Sequence, residues 1–230
     1  MNIVIINGQN HKGNTYLVAR ELADKVGGEI KEFFLPKDFS NPCTGCSTCF
    51  KTDLTHCPHY DHLRPITEAI DWAELIILAS PVYVFHATGQ MMSLLDHYGT
   101  RWIVHRPDKK MFHKQGVCVS TAAGGGMKST NKDMADSLLF WGVPKIYKLG
   151  FGVRSLTPEN IPESILSKIH HKTDKLSKKI RKNSNPKTPH FKARFWFHLV
   201  RFLHSKNTSI EPDYSYWEKH GWHGKNRPWK

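Results

Sequence analysis

Apolar and polar positions alternate along the chain in two rhythms. Met1–Asn7 (MNIVIIN) is a short β-branched run, the pattern of a strand buried on both faces. After the polar stretch Gly8–Asn14, Leu17, Val18, Leu22 and Val26 recur at helical spacing between Thr15 and Val26. The alternation then repeats. Ile30–Leu35 reads as a second strand, Leu63–Trp72 as a helix, Glu74–Ala79 (ELIILA) as a third strand and Gln90–Tyr98 as a helix. Gly116–Ser120 reads as a fourth strand, Lys128–Trp141 as a helix and Lys145–Phe151 as a fifth strand. Strands that alternate with helices close right-handed βαβ units and give a parallel sheet, so the expected fold class is α/β.

Five strands in this rhythm suit a flavodoxin-like doubly wound sheet, which binds ligands at the carboxyl ends of its strands. Three loops at those ends stand out. Gly8–Thr15 (GQNHKGNT) carries the donors Gln9, Asn10, His11, Lys12, Asn14 and Thr15 and runs into a helix N-terminus. Unsatisfied N–H groups and the helix dipole favour an anion there, a phosphate above all. The loop has neither the Walker spacing nor the dinucleotide fingerprint. Read without a ligand, it is a helix start with Asn14 or Thr15 as N-cap. Ser80–Gln90 (SPVYVFHATGQ) is apolar and aromatic: Tyr83 and Phe85 suit the face of a flat ring, and the backbone of Val82–Val84 suits its polar edge. Ordinary packing beneath a loop is the alternative. Ser120–Gly126 (STAAGGG) has small residues that let backbone approach a ligand closely. A donor-rich, an aromatic and a small-residue loop at one sheet edge fit a ligand with a phosphate tail and a planar ring. FMN is such a ligand.

Between the second strand and the next helix lie Cys43, Cys46, Cys49 and Cys57, spaced C-x2-C-x2-C-x7-C and followed by Pro58. Bacterial ferredoxins hold [4Fe–4S] clusters on a similar run. A zinc site is the alternative, with His56 and His59 flanking Cys57, as is a reactive dithiol without metal. Cys118 falls in a predicted strand and reads as core.

The rhythm changes after Phe151. Pro162–Lys182 is a Lys-rich helix with Ile165, Leu166, Ile169, Leu176 and Ile180, and Asn183–Pro189 (NSNPKTP) reads as a linker. In the following 190–205 stretch Phe191, Phe195, Leu199 and Phe202 align on one helical face, widened by Trp196, Val200 and Leu203, with Arg194, His198, Arg201 and His204 largely opposite. The expectation is that this aromatic face docks on the preceding domain or on a second subunit. An anionic membrane surface is the other occupant that a basic amphipathic helix suits. Tyr214, Tyr216, Trp217, Trp222 and Trp229 also look suited to cover a surface. Charge follows the same division. Of the net +13, residues 161–230 hold +11, from 16 Lys/Arg against 5 Asp/Glu. The expected organisation is a domain over 1–155, carrying the Cys-rich loop 43–57, and a basic helical C-terminal extension over 156–230. No window has the ~20 apolar residues of a membrane span. The N-terminus lacks a basic n-region, and the clustered cysteines do not resemble a secreted disulfide framework, so the expected compartment is the cytoplasm. No nucleic-acid-binding motif is recognised.

On these residues the chain resembles the flavodoxin-like NAD(P)H-dependent FMN reductase family, and more closely its iron–sulfur flavoprotein branch, from Met1 to about Phe151. The family's phosphate loop, G-S-x-R-x-x-x-N-T, is matched by GQNHKGNT, one residue shorter and with Gln9 and His11 in place of Ser and Arg. Its S-P-x-Y loop is matched by Ser80-Pro81-Val82-Tyr83, with Gly89-Gln90 downstream, and its Gly-rich loop by Thr121–Gly126. The resemblance implies that Gln9, His11, Asn14 and Thr15 bind the FMN phosphate. It implies that Pro81, Val82, Tyr83, Val84 and Phe85 border the isoalloxazine, and that Thr121, Ala122, Gly124 and Gly125 complete the site. It places Cys43, Cys46, Cys49 and Cys57 at the family's iron–sulfur loop. The implied activity is an FMN-dependent NAD(P)H oxidoreductase acting on a small-molecule electron acceptor, with a [4Fe–4S] cluster favoured over zinc and a homodimer or higher oligomer expected. The alternatives are an electron carrier reduced by ferredoxin and a zinc-stabilised flavodoxin-like binding protein. No side-chain acid or base catalyst is assigned.

Overall fold

A computed structural model describes residues 1–184, 189, 191–204, 206 and 211–230. The strands are β1 (Asn2–Asn7), β2 (Glu29–Phe34), β3 (Leu75–Ala79), β4 (Gln115–Ala122) and β5 (Lys145–Gly152), all parallel in the order β2-β1-β3-β4-β5. The helices are α1 (Asn14–Val26), α2 (Thr48–Lys51), α3 (Tyr60–Trp72), α4 (Gly89–Asp96), α5 (Met127–Phe140), α6 (Glu163–Lys182), α7 (Phe191–His204) and α8 (Glu211–Lys219). This order reverses direction between β1 and β3, so the loops after these strands diverge and leave a crevice at their carboxyl ends.

Alternation along the strands sorts the core into two layers. Ile3, Ile5, Leu75, Ile77, Val117 and Val119 face α1 and α6, whereas Val4, Ile6, Ile76, Leu78 and Cys118 face α3, α4 and α5. Cys118 is fully buried, and burial pushes its thiol well above the ordinary range. α6 completes the layer beside α1: Glu21 of α1 accepts from Lys25 Nζ at 2.7 Å and from Thr173 Oγ1 at 2.6 Å. β4 runs two residues further than its apolar pattern indicates, because β5 pairs with it through Thr121 and Ala122. These two residues therefore lie on a strand end and not in a loop.

The last helices form a third cluster, in which Ala193, Phe197, Val200, Trp217 and Trp222 pack on Ile103 and Phe112. This corrects the expected face of α7. Ala193, Phe197, Val200 and His204 are buried, while Phe195 and Phe202 remain 60% and 58% exposed and Phe191 and Leu203 also face outward. The helix is apolar around most of its circumference, so periodicity does not single out one face. The partner rings do: Phe197 stacks on Trp217 at 4.6 Å and meets Trp229 edge-on at 4.9 Å. Most of the expected linker Asn183–Pro189, and both end residues of the 190–205 stretch, lie outside the described residues.

Candidate functional site

A cleft of about 290 Å³ opens at the carboxyl edge of the sheet, between the loops after β1, β3 and β4. Of the residues singled out in the sequence, Gln9, His11, Asn14, Thr15, Pro81, Val82, Tyr83, Thr121 and Ala122 line it; Val84, Phe85, Gly124 and Gly125 stand outside the lining. Gly13, Ala123, Val153, Ser155 and Leu156 also line it. Gly13 lies within the quoted phosphate loop, but the last three follow β5, where neither composition nor spacing marks a ligand loop.

The first wall is a helix start that offers donors. Gly13 is the N-cap of α1, no side chain caps the first turn, and no acidic residue lies in it. This corrects the reading of Asn14 or Thr15 as N-cap: both side chains are engaged elsewhere. Asn14 Nδ2 donates to the Ser155 carbonyl at 2.8 Å, and the hydroxyls of Thr15 and Thr121 share a 2.6 Å hydrogen bond. Asn14 Oδ1 is buried without a donor. Thr88 ties the walls together, since its hydroxyl donates to the Gly8 carbonyl at 2.7 Å and accepts from Met91 N at the start of α4. Gly8 is required here, because a Cβ would stand 2.7 Å from that hydroxyl.

The second wall ends in a tight turn. Tyr83 and His86 exchange backbone hydrogen bonds, and the intervening Val84 and Phe85 both take left-handed φ, 50° and 65°. A two-residue turn of this kind favours glycine or asparagine, so these residues hold strain. α5 supports the turn: Ser129 Oγ donates to the Phe85 carbonyl at 2.5 Å, and Asp133 accepts from Ala87 N at 3.2 Å. Val84 is 90% exposed and, with Phe85 and Leu156, forms an apolar rim on the cleft.

The cysteine loop, which follows β2, contributes no residue to the lining of this cleft. Cys43 and Cys46 are exposed and Cys49 and Cys57 half-buried, all as free thiols. Burial raises the Cys49 thiol, and the charges of Cys57, Cys43 and Cys46 raise it further, so the other three sulfurs lie within electrostatic reach of Cys49, although no three of the four thiols converge as closely as a metal-ligand set. The Cys46 thiol is lowered, chiefly by hydrogen bonding to Thr48. Arg106 holds the loop's backbone, donating to the carbonyls of Cys49 (2.8 Å), Phe50 (3.0 Å) and Thr52. The guanidinium also pairs with buried Asp213 of α8 at 2.9 Å, while the other Asp213 oxygen accepts from His105 at 2.7 Å. The extension thus supports the cysteine loop through one buried ion pair. Of the two histidines flanking Cys57, His56 turns to Asp53 at 3.1 Å, whereas His59 meets His97 at 3.0 Å. Burial lowers His97, and the charge of His59 adds to this.

Comparison with known proteins agrees with this geometry. The family described as NADPH-dependent FMN reductase matches residues 1–153. The chain is similar to an iron–sulfur flavoprotein of Archaeoglobus fulgidus, 26% identical over 203 residues that span 86% of this chain and 87% of that protein. Among solved structures its fold is similar to a flavone reductase, with TM-score 0.60 and 15% identity over 80% of this chain; the match spans only 64% of the flavone reductase. It is also similar to an FMN-dependent NADH-azoreductase from Bacillus anthracis in complex with FMN, with TM-score 0.58 and 11% identity over 78% of this chain and 99% of that one.

Proposed function

Because this chain belongs to the NADPH-dependent FMN reductase family, we propose that the cleft at the sheet edge is its FMN site and that the cysteine loop carries a [4Fe–4S] cluster. The family makes it an FMN-dependent NAD(P)H oxidoreductase. The residues present fit the cofactor. The uncapped N-terminus of α1, with Gln9 and His11 before it, suits a phosphate. The buried acceptor Asn14 Oδ1 suits a hydroxyl of the ribityl chain. Pro81, Val82 and Tyr83 supply an apolar wall for the ring, and Ala122 and Ala123 leave room opposite. FMN held by these residues would supply hydride acceptance from a nicotinamide and onward electron transfer. The protein's own part is to hold, orient and shield. The Thr15–Thr121 pair fixes the first wall against the third, and Thr88 fixes the first against the second.

Four thiolates suit iron and sulfide as a donor set, and the similar Archaeoglobus protein is named an iron–sulfur flavoprotein. Cys43, Cys46, Cys49 and Cys57 would hold that cluster. Residues 1–155 carry most of the FMN-binding unit in this reading; of the 156–230 extension, Leu156 joins the cleft and α6 completes the core layer beside α1. The exposed rim of Tyr83, Val84, Phe85 and Leu156 is the surface a second copy covers, giving a homodimer. No described helix is long and apolar enough to cross a membrane, and a free-thiol cluster suits the reducing cytoplasm. Exposed Cys43 and Cys46 also favour a second reading, in which reduced ferredoxin supplies the electrons.

The single observation that carries the proposal is the uncapped α1 start opening into a cleft walled by the three loops. Anaerobic stopped-flow reduction tests it. Bleaching of the yellow protein by NADH or NADPH at catalytic rates is the expected result, and bleaching through reduced ferredoxin alone selects the carrier. A chain that binds no FMN on reconstitution would refute the site. Iron and acid-labile sulfide in anaerobically purified protein test the cluster.

A further inference from the structure

We propose that Cys57, His59 and His97 form a mononuclear Zn²⁺ site, which shares Cys57 with the cluster motif and is therefore filled in the cluster-free chain. The shared use of Cys57 rests on the cluster reading above; the zinc site itself does not. Each residue offers one ligand atom, and all three atoms lie within 4.8 Å of one another. Among the described residues this is the set of three that the fold brings so close.

The geometry is close to that of a bound ion. His59 Nδ1 and His97 Nε2 stand 3.0 Å apart. Two imidazole nitrogens on one tetrahedral zinc, each at ~2.0–2.1 Å, stand roughly 3.3 Å apart. A few tenths of an ångström separate the two arrangements. The tautomer is already set at His97. Its Nδ1 lies 2.7 Å from the Ser93 carbonyl, which only accepts, so Nδ1 carries the proton and Nε2 presents a lone pair towards His59. A carbonyl behind a ligating imidazole is the common support of metal-bound histidines. The ring is also immobilised: His97 is 3% exposed and packs edge-on against Phe39 at 5.0 Å.

Cys57 and His59 are close in sequence, and His97 lies 38 positions beyond His59. Cys57 closes the 3-10 turn Leu54–His56, His59 is the N-cap residue of α3, and His97 follows α4. His56 is not part of this set; its ring turns to Asp53. One thiolate and two imidazoles suit zinc over magnesium or calcium, which take oxygen ligands. Binding is not redox. The Cys57 thiol releases its proton to solvent, both histidines ligate as neutral rings, and the His59 proton, which Nδ1 donates to His97 Nε2 in the empty site, passes through solvent to Nε2 as Nδ1 ligates. Solvent or another thiol of the loop supplies a fourth ligand.

The test uses full-length, FMN-loaded protein freed of cluster by anaerobic chelation. Zn²⁺ is titrated against a chromophoric chelator, and Co²⁺ serves as the spectroscopic probe. The wild-type chain should bind one zinc, and its cobalt form should show tetrahedral bands that His97→Gln and His59→Gln both remove. Each variant should weaken zinc binding at least ~10-fold. Pre-loaded zinc should block reconstitution with iron and sulfide in the wild type and not in His97→Gln. Flavin content checks that His97→Gln folds, and the more exposed His59→Gln decides if it does not. Zinc affinity unchanged in both variants, with a cobalt spectrum of four thiolates, would overturn the proposal, as would a wild type that binds no zinc. Failure of zinc-free wild type to assemble a cluster would refute the cluster and leave the zinc titration standing.

Discussion

The cleft at the sheet edge takes most of its walls from loops that directly follow β1, β3 and β4, whereas the cysteine loop takes its support from residues far away in sequence. Arg106 reaches back 57 positions to the Cys49 carbonyl, and its ion-pair partner Asp213 lies on α8 beyond the sheet. The cleft is therefore built into the sheet: wherever parallel strands of this order form, their loops meet. The cysteine loop is held by a few polar contacts from Arg106, itself anchored by a buried ion pair, which one substitution can remove. The two regions should accordingly respond separately to mutation.

The largest effect is expected from Arg106→Ala. It removes the donor to three carbonyls and leaves Asp213 buried beside His105 alone. Breaking a buried pair in this way costs about 3–5 kcal/mol. Urea unfolding should show the loss, and the four cysteines should alkylate faster, while FMN affinity in the residual folded protein changes little. Arg106→Lys should recover only part, because an ammonium cannot fork across several acceptors. Equal loss of FMN binding would show that the two regions are one cooperative unit.

On the cleft side, Asn14→Ala removes the donor to Ser155 and the buried acceptor together. FMN should bind roughly tenfold more weakly, about 1.4 kcal/mol, by fluorescence titration, with cluster iron unchanged. Val84→Gly should go the other way. Relief of a β-branched residue at φ 50° is worth about 1 kcal/mol, read as a raised melting temperature. A lower melting temperature would mean that the contact of Val84 with the proposed second copy outweighs the strain it relieves.

The smallest effect concerns the clasp between α1 and α6. Burial would raise the Glu21 carboxyl, but hydrogen bonds from Lys25, Thr173 and His170 outweigh it, so the group titrates below its ordinary 4.5. A depressed carboxylate contributes stability that is fully present above the unfolded value and is lost as pH falls through the folded one. Glu21→Gln should therefore reduce stability by about 0.5 kcal/mol at neutral pH after solvent screening. The difference from wild type should vanish in acid. A difference that persists at low pH would assign Glu21 a packing role instead.

Much of the fold is legible in the sequence for a local reason. Apolar runs such as Ile3–Ile6 and Leu75–Leu78, and the apolar spacing of Leu22 and Val26, report burial over a few neighbouring residues. The three ligand loops are legible because each begins where such a run ends. The face of α7 is not, since Phe195 and Phe197 look alike in sequence, and only the rings of Trp217, Trp222 and Trp229 distinguish them. His97 reads as one of 15 scattered histidines until α4 places it beside His59.

The sequence by itself thus determined the sheet, the order of its loops and the supply of four thiols, because strand burial and cysteine spacing are properties of neighbouring residues. Tertiary structure alone decided that the α1 start is left uncapped and open to the cleft, that Arg106 and Asp213 hold the cysteine loop, and that Cys57 meets two histidines. These are pairings between elements, set by how helices settle on the sheet, and no local pattern records a partner 38 or 57 residues away.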